Sequence, residues 1–140
     1  MVKELLSDIC SINGINFVVG NEHTVAEMLV KGDIYPQFDE TTLHLNSGLW
    51  TMHINIDSIS KVEIIKDKEL SGFIPNLFYI SFKDQKNGTI FSVFLPNPYL
   101  DEHYNKIDLQ EDKMQIIEDL IEKYAGKENI EFLDKSEDTN

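Results

Sequence analysis

Apolar residues recur along this chain with two different periods, and the changes of period mark its elements. From Val2 to Ser11 they fall at Val2, Leu5, Leu6, Ile9 and Cys10, the spacing of a short amphipathic helix. Asn13-Gly14 stops it. Ile15 to Val19 reads as a buried strand, with Gly20-Asn21 as its turn. Thr24 to Lys31 carries both signals: its β-branched ends suit a strand, while Ala26, Glu27, Met28 and Leu29 suit a helix. The hairpin-type turn before it favours the strand. The segment GDIYPQFDE, framed by Gly32 and Pro36, reads as an irregular link.

The stretch Thr41 to Ile56, TTLHLNSGLWTMHINI, is the centre of the pattern. It reads as two strands joined by a two-residue turn at Ser47-Gly48, which pairs Leu45 with Trp50, His44 with Thr51 and Thr42 with His53. Alternation puts Leu43, Leu45, Trp50, Met52 and Ile54 on one face, and Thr42, His44, Thr51, His53 and Asn55 on the other. His44 and His53 are then diagonal neighbours, roughly 7–8 Å apart at Cα. They are close enough to line one site.

Asp57 is placed to cap a single turn before the strand Lys61 to Ile65. The segment KDKELSGFIPN reads as a loop. Leu77 to Lys83 and Thr89 to Leu95 form the clearest hairpin, with Asn87-Gly88 in the connection. Phe78, Ile80 and Phe82 line one face of it with Phe91, Val93 and Leu95, while Ile90 and Phe94 load the other. Asp108 with Glu111 matches a capping box that opens a helix from Asp108 to Ala125. Its apolar stripe is Met114, Ile117, Ile121 and Tyr124, widened by Ile116 and Leu120. The pattern predicts an α+β fold: an antiparallel β-sheet with a short N-terminal helix and a longer C-terminal one. Residues 1–126 form a single domain, and residues 127–140 an acidic tail, disordered after Lys135.

Composition narrows the function. The 140 residues hold 12 basic and 25 acidic side chains, a net charge of −13. Every basic residue is lysine, so the arginine forks that commonly grip phosphate are missing. Nucleic acid and anionic membrane surfaces are poor partners for such a chain. No apolar run reaches the roughly 20 residues of a membrane span, and the N-terminal segment does not read as a secretory signal. With a single cysteine there is no intrachain disulfide, and a cytoplasmic protein is expected.

Chemistry-bearing motifs are few. There is no Gly-rich phosphate loop, no paired-cysteine metal site and no HExxH. Cys10, in a helix with no histidine near in sequence, reads as a small buried hydrophobe. Asp101 to Tyr104, DEHY, reads as solvated surface. Met28 and Met52 sit at core-like strand positions, and Tyr35, Tyr79 and Tyr99 could pack around a flat ligand. The histidines of the central hairpin remain, since imidazole ligates transition metals and haem iron.

The order of weaker segments adds to this. Gly14 to Val19 follows the form G-x-V-x-F-I-V. Glu27, Gly32, Ile34 and Pro36 loosely follow E-x-x-G-x-L-P. Leu45-Asn46, Leu49, His53-Ile54-Asn55, Ile59, Val62, Ile64 and Ile65 approach N-L … L-x-G-H-L-R-x-D-x-x-x-x-I-x-F-V. Ile80, Phe82, Gly88 and Phe91 to Leu95 approach S-V-x-F-F-N-x-x-G … F-K-I-F-V. In this order, over residues 4 to 125, the chain resembles the ChuX/HutX haem-utilisation family, whose fold also occurs in duplicated HemS-type proteins. The resemblance implies a haem-utilisation-like α+β domain, monomer or homodimer, that binds haem or a related tetrapyrrole and passes it on. His53 matches the histidine of the family's G-H-L-R segment, an iron ligand; His44 or His23 is the second candidate. The arginine after that histidine is Asn55 here. The family's M-G-R-x-S and F-V-G-R-D segments have become Ser71 to Pro75 and Phe94 to Pro98. Lys31, Lys61 and Lys66 are the cations left to meet haem propionates. The alternative reading is a cofactor-free interaction or accessory domain that keeps the fold without the pocket. Enzymatic haem breakdown is the less favoured third reading.

Overall fold

The computed structural model describes residues 1–32 and 34–137. Helix α1, Val2–Cys10, buries Leu5, Leu6, Ile9 and Cys10, the face that its spacing predicts. Gly14, at a φ of +83°, turns the chain into β1, Asn16–Gly20. β1 pairs antiparallel with β2, Val25–Leu29, so the ambiguous segment is a strand. Asn21 fixes that turn by accepting the backbone N–H groups of His23 and Thr24.

Next come β3, Gln37–Phe38, β4, Thr42–Asn46, and β5, Thr51–Asn55, which form a small antiparallel sheet of their own. A 3-10 turn at Ile56–Ser58 leads into β6, Lys61–Lys68. Asn55, not Asp57, caps that turn, accepting the Asp57 N–H through its side chain. β6 runs on through Lys66, Asp67 and Lys68, which read as loop in the sequence. β7, Asn76–Lys83, and β8, Thr89–Phe94, are the predicted hairpin. Asn87 adopts the left-handed conformation at its turn, and Asp84 accepts the N–H groups of Lys86 and Gly88.

α2 spans Glu111–Tyr124. The predicted capping box does not form: Gln110 is the N-cap, without a side-chain hydrogen bond, and Asp108 lies outside the helix. The chain before α2 is held instead by Gln110, whose side-chain amide donates to the Pro98 and Leu100 carbonyls. A second correction follows α2. Ile130, Phe132 and Leu133 belong to β9, Ile130–Lys135, which pairs parallel with β6. Of the segment beyond Lys135 that the sequence predicts to be disordered, residues 138–140 lie outside the described residues, and Ser136 donates its backbone N–H to Asp134.

The large sheet has the order β2-β1-β8-β7-β6-β9, antiparallel except for the β6–β9 pair. One hydrophobic core unites it with both helices and the small sheet: Phe17, Ile80, Phe82 and Phe91 meet Leu5, Ile9, Leu43, Leu45, Ile117 and Tyr124. Phe82 and Phe91 stack with ring centres 4.3 Å apart. The helices are also tied by charge. Lys123 donates to Asp8 at 2.8 Å, and the Tyr124 hydroxyl donates to the same carboxylate. Burial and the Asp8 carboxylate push the Tyr124 hydroxyl up to about 12.

Candidate functional site

The small sheet positions the histidines, and its register differs from the predicted one. The connection is four residues, Ser47 to Trp50, because Ser47 accepts the N–H groups of Leu49 and Trp50 and the chain closes only at Ser47 N–H to Trp50 carbonyl. Trp50 leaves the strand and sets its ring edge-on against Phe17, 6.0 Å between centres. The pairs are therefore Asn46 with Thr51, His44 with His53 and Thr42 with Asn55. Adding two residues to the loop preserves which face each side chain occupies. It also converts the diagonal histidines into a directly opposed pair.

Their rings meet edge to face, 4.9 Å between centres at 76°. The two Nδ1 atoms are 2.7 Å apart. His44 Nε2 lies 2.9 Å from Asp39 Oδ2. The other Asp39 oxygen, Oδ1, accepts the N–H groups of Thr41 at 3.0 Å and Thr42 at 2.8 Å. These hydrogen bonds, that from His44 first and those from the backbone next, hold the Asp39 carboxyl down to about 2. A continuous row results, Asp39 to His44 to His53. Among the described residues no hydrogen-bond partner stands at His53 Nε2, the far end of the row, and His53 is exposed.

The other candidate residues lie apart from this pair. Asn55 shares the polar face but spends its side-chain oxygen on the 3-10 turn. His23 is in the β1–β2 turn, exposed, 3.2 Å from Glu22. Lys31 is on the rim of a cleft of about 650 Å³ at the end of β1, β7 and β8. That cleft has an apolar floor of Leu29, Val30, Phe78, Phe94 and Leu95, and its rim includes His103, a residue of the polar DEHY segment. Nothing in the sequence marks His103, because the loop that carries it folds back through the Leu100–Lys106 bridge. The cleft rim balances Lys31 and Lys113 against Glu27, Asp101 and Glu102, and Lys113 donates to the Leu100 carbonyl at 2.8 Å. It offers no net positive field.

For a haem the hairpin face fits in one respect. An exposed imidazole with one ring nitrogen already hydrogen-bonded is the form in which histidine ligates a metal. The same face carries Gln37, Thr42, Asn46, Thr51 and Asn55 beside Asp39, and none of the register positions of β3, β4 and β5 is a lysine to meet a propionate. Among the described residues, no group of three or more His, Cys, Asp or Glu is arranged to hold a metal ion. Among the described residues, no helix is long and apolar enough to cross a membrane.

No family model and no curated protein matches the sequence. Solved structures do match the fold. A crystal structure of ChuX superposes with a TM-score of 0.71 at 14% identity, over 87% of this chain and 71% of that one. Protein AGR_C_4470 from Agrobacterium tumefaciens gives 0.69 at 13%, over 89% and 67%. Apo-PhuS, a heme-binding protein from Pseudomonas aeruginosa, gives 0.63 at 12%, over 84% of this chain and 32% of PhuS. At such identity the likeness speaks of architecture, and it agrees with the α+β fold that the residue pattern predicts. The chain is a divergent protein of the ChuX/HutX-like fold.

Proposed function

We propose that this protein binds haem or a related tetrapyrrole and hands it on as a cytoplasmic carrier, with His53 Nε2 as the iron ligand. The observation that carries the reading is the His53 Nε2 nitrogen, without a hydrogen-bond partner among the described residues, at the end of the Asp39–His44–His53 row on an exposed sheet face. The fold supports it, since ChuX and PhuS are described as heme-binding proteins. Haem bound at an exposed imidazole is held mainly by one coordinate bond, which suits transfer better than storage. Haem supplies the iron; the chain supplies the nitrogen and the hydrogen bond behind it.

Titration of the purified protein with hemin tests this. A shifted Soret band is expected for wild type and none for His53→Ala. Identical spectra and affinities for the two would overturn the ligand. If wild type gives no shift at micromolar hemin, the carrier reading falls. The second reading, a cofactor-free interaction domain, then stands; the charge of −13 and the absence of arginine favour it.

A further inference from the structure

We infer that Asp39 and His44 are positioning residues that fix the tautomer of His53, holding its proton on Nδ1 and leaving the Nε2 lone pair free. An ionised carboxylate oxygen only accepts, so His44 Nε2, 2.9 Å from Asp39 Oδ2, carries a proton. Between the two Nδ1 atoms, 2.7 Å apart, there is room for one proton. Two would collide, and none would set two lone pairs against each other. With both rings neutral, His44 has placed its only proton toward Asp39. The bridging proton therefore belongs to His53, and His53 Nε2 is the nitrogen left able to ligate.

This inverts the preference of a histidine side chain in water, where the proton favours Nε2. Asp39 can impose it because its two oxygens have different tasks. Oδ1 is committed to the Thr41 and Thr42 N–H groups, so Oδ2 alone faces His44 and orientation of the carboxylate is fixed. Among the described residues, Asp39 is the charged group hydrogen-bonded to this pair, and the register neighbours Gln37, Thr42, Asn46, Thr51 and Asn55 carry no charge.

Asp39→Asn separates this arrangement from a merely structural one. The new amide oxygen keeps the two backbone N–H groups, so its NH₂ turns toward His44 Nε2. His44 must then accept at Nε2 and donate from Nδ1, and His53 must accept at Nδ1 and carry its proton on Nε2. A carboxylate-to-amide change that leaves geometry intact but reverses an imidazole tautomer has precedent in general acid–base sites. Nitrogen-15 NMR of the ligand-free 140-residue protein labelled at histidine reads each tautomer directly. Wild type is expected to show His44 protonated at Nε2 and His53 at Nδ1. Both should reverse in Asp39→Asn, and His53 should return to its Nε2–H form in His44→Ala. A wild-type His53 protonated at Nε2, or an Asp39→Asn protein with both tautomers unchanged, would overturn the inference.

The consequence for haem rests on the proposed function and is measured separately. Asp39→Asn should weaken hemin binding roughly tenfold, as loss of a group behind a ligating imidazole usually does. Expected tautomers without a Soret shift in wild type would remove the haem reading and leave the positioning intact. A His53-dependent Soret shift with unaltered tautomers would do the reverse.

Discussion

Two strand surfaces in this molecule carry ionisable side chains, and they handle them in opposite ways. On the large sheet, Glu63 is 4% exposed and meets Lys83 at 2.9 Å and Lys61 at 3.4 Å. Burial raises the Glu63 pKa, but the two lysines more than offset it, and the net shift is downward. Beside it the Tyr79 hydroxyl donates to Asp67 at 2.9 Å. Glu63 thus lies between two opposite charges, and Asp67 accepts a neutral hydroxyl. On the small sheet the row from Asp39 through His44 ends at a nitrogen with no hydrogen-bond partner among the described residues. A paired set of charges has its members committed to one another. An open row has one functional group left over, and the availability of that group, more than its charge, is what singles out the hairpin.

The contrast can be broken or sharpened from its largest effect downward. Phe82→Ala removes a ring with no exposure, stacked on Phe91 beneath the paired charges. It should cost about 3–5 kcal/mol in urea unfolding, whereas no hairpin-face substitution should approach that. Lys83→Ala takes away the closest partner of a buried carboxylate and should cost about 1–3 kcal/mol; a loss below half a kcal/mol would show that the set does not rely on Lys83. His44→Ala, on the exposed face, should change stability by under about 1 kcal/mol, yet alter the His53 tautomer. If it unfolds the protein instead, the pair is structural.

The smallest effect separates the two surfaces by pH. Asp39 has a folded pKa below its unfolded value, so its contribution to stability is present above about pH 4 and fades as pH falls toward about 2. Tyr79, raised to about 12 mainly by burial and then by Asp67, behaves oppositely. Its contribution is present below about pH 10 and is lost as pH rises through about 12. Asp39→Asn should therefore flatten the acid limb of a stability–pH curve alone, and Tyr79→Phe the alkaline limb alone. Equal changes at both ends would end the distinction.

Much of the fold is legible in the residues because it is local. Leu5, Leu6 and Ile9 fall at helical spacing, and Phe78, Ile80 and Phe82 alternate, so the solvent-averse face of each element can be read without knowing its neighbour. Leu43, Leu45 and Ile54 are buried as alternation predicts, and His44 and His53 share the polar face. β9 was hidden for the opposite reason. Glu131, Phe132 and Asp134 remain exposed, so the strand forms through backbone hydrogen bonds to β6 and the anchoring of Ile130, not through a side-chain period. The capping box at Asp108 failed because Gln110 found the Pro98 and Leu100 carbonyls across the loop.

The hairpin shows the division most clearly. By itself the sequence determined that two histidines lie on one polar face, since strand alternation survives any even change in loop length. Whether they stand diagonal or opposed was decided by tertiary structure. Trp50 is drawn out of the strand to pack on Phe17, and Ser47 closes the longer loop behind it. That shift of two residues brings the two Nδ1 atoms into contact, and Asp39, from the preceding turn, gives the contact its direction.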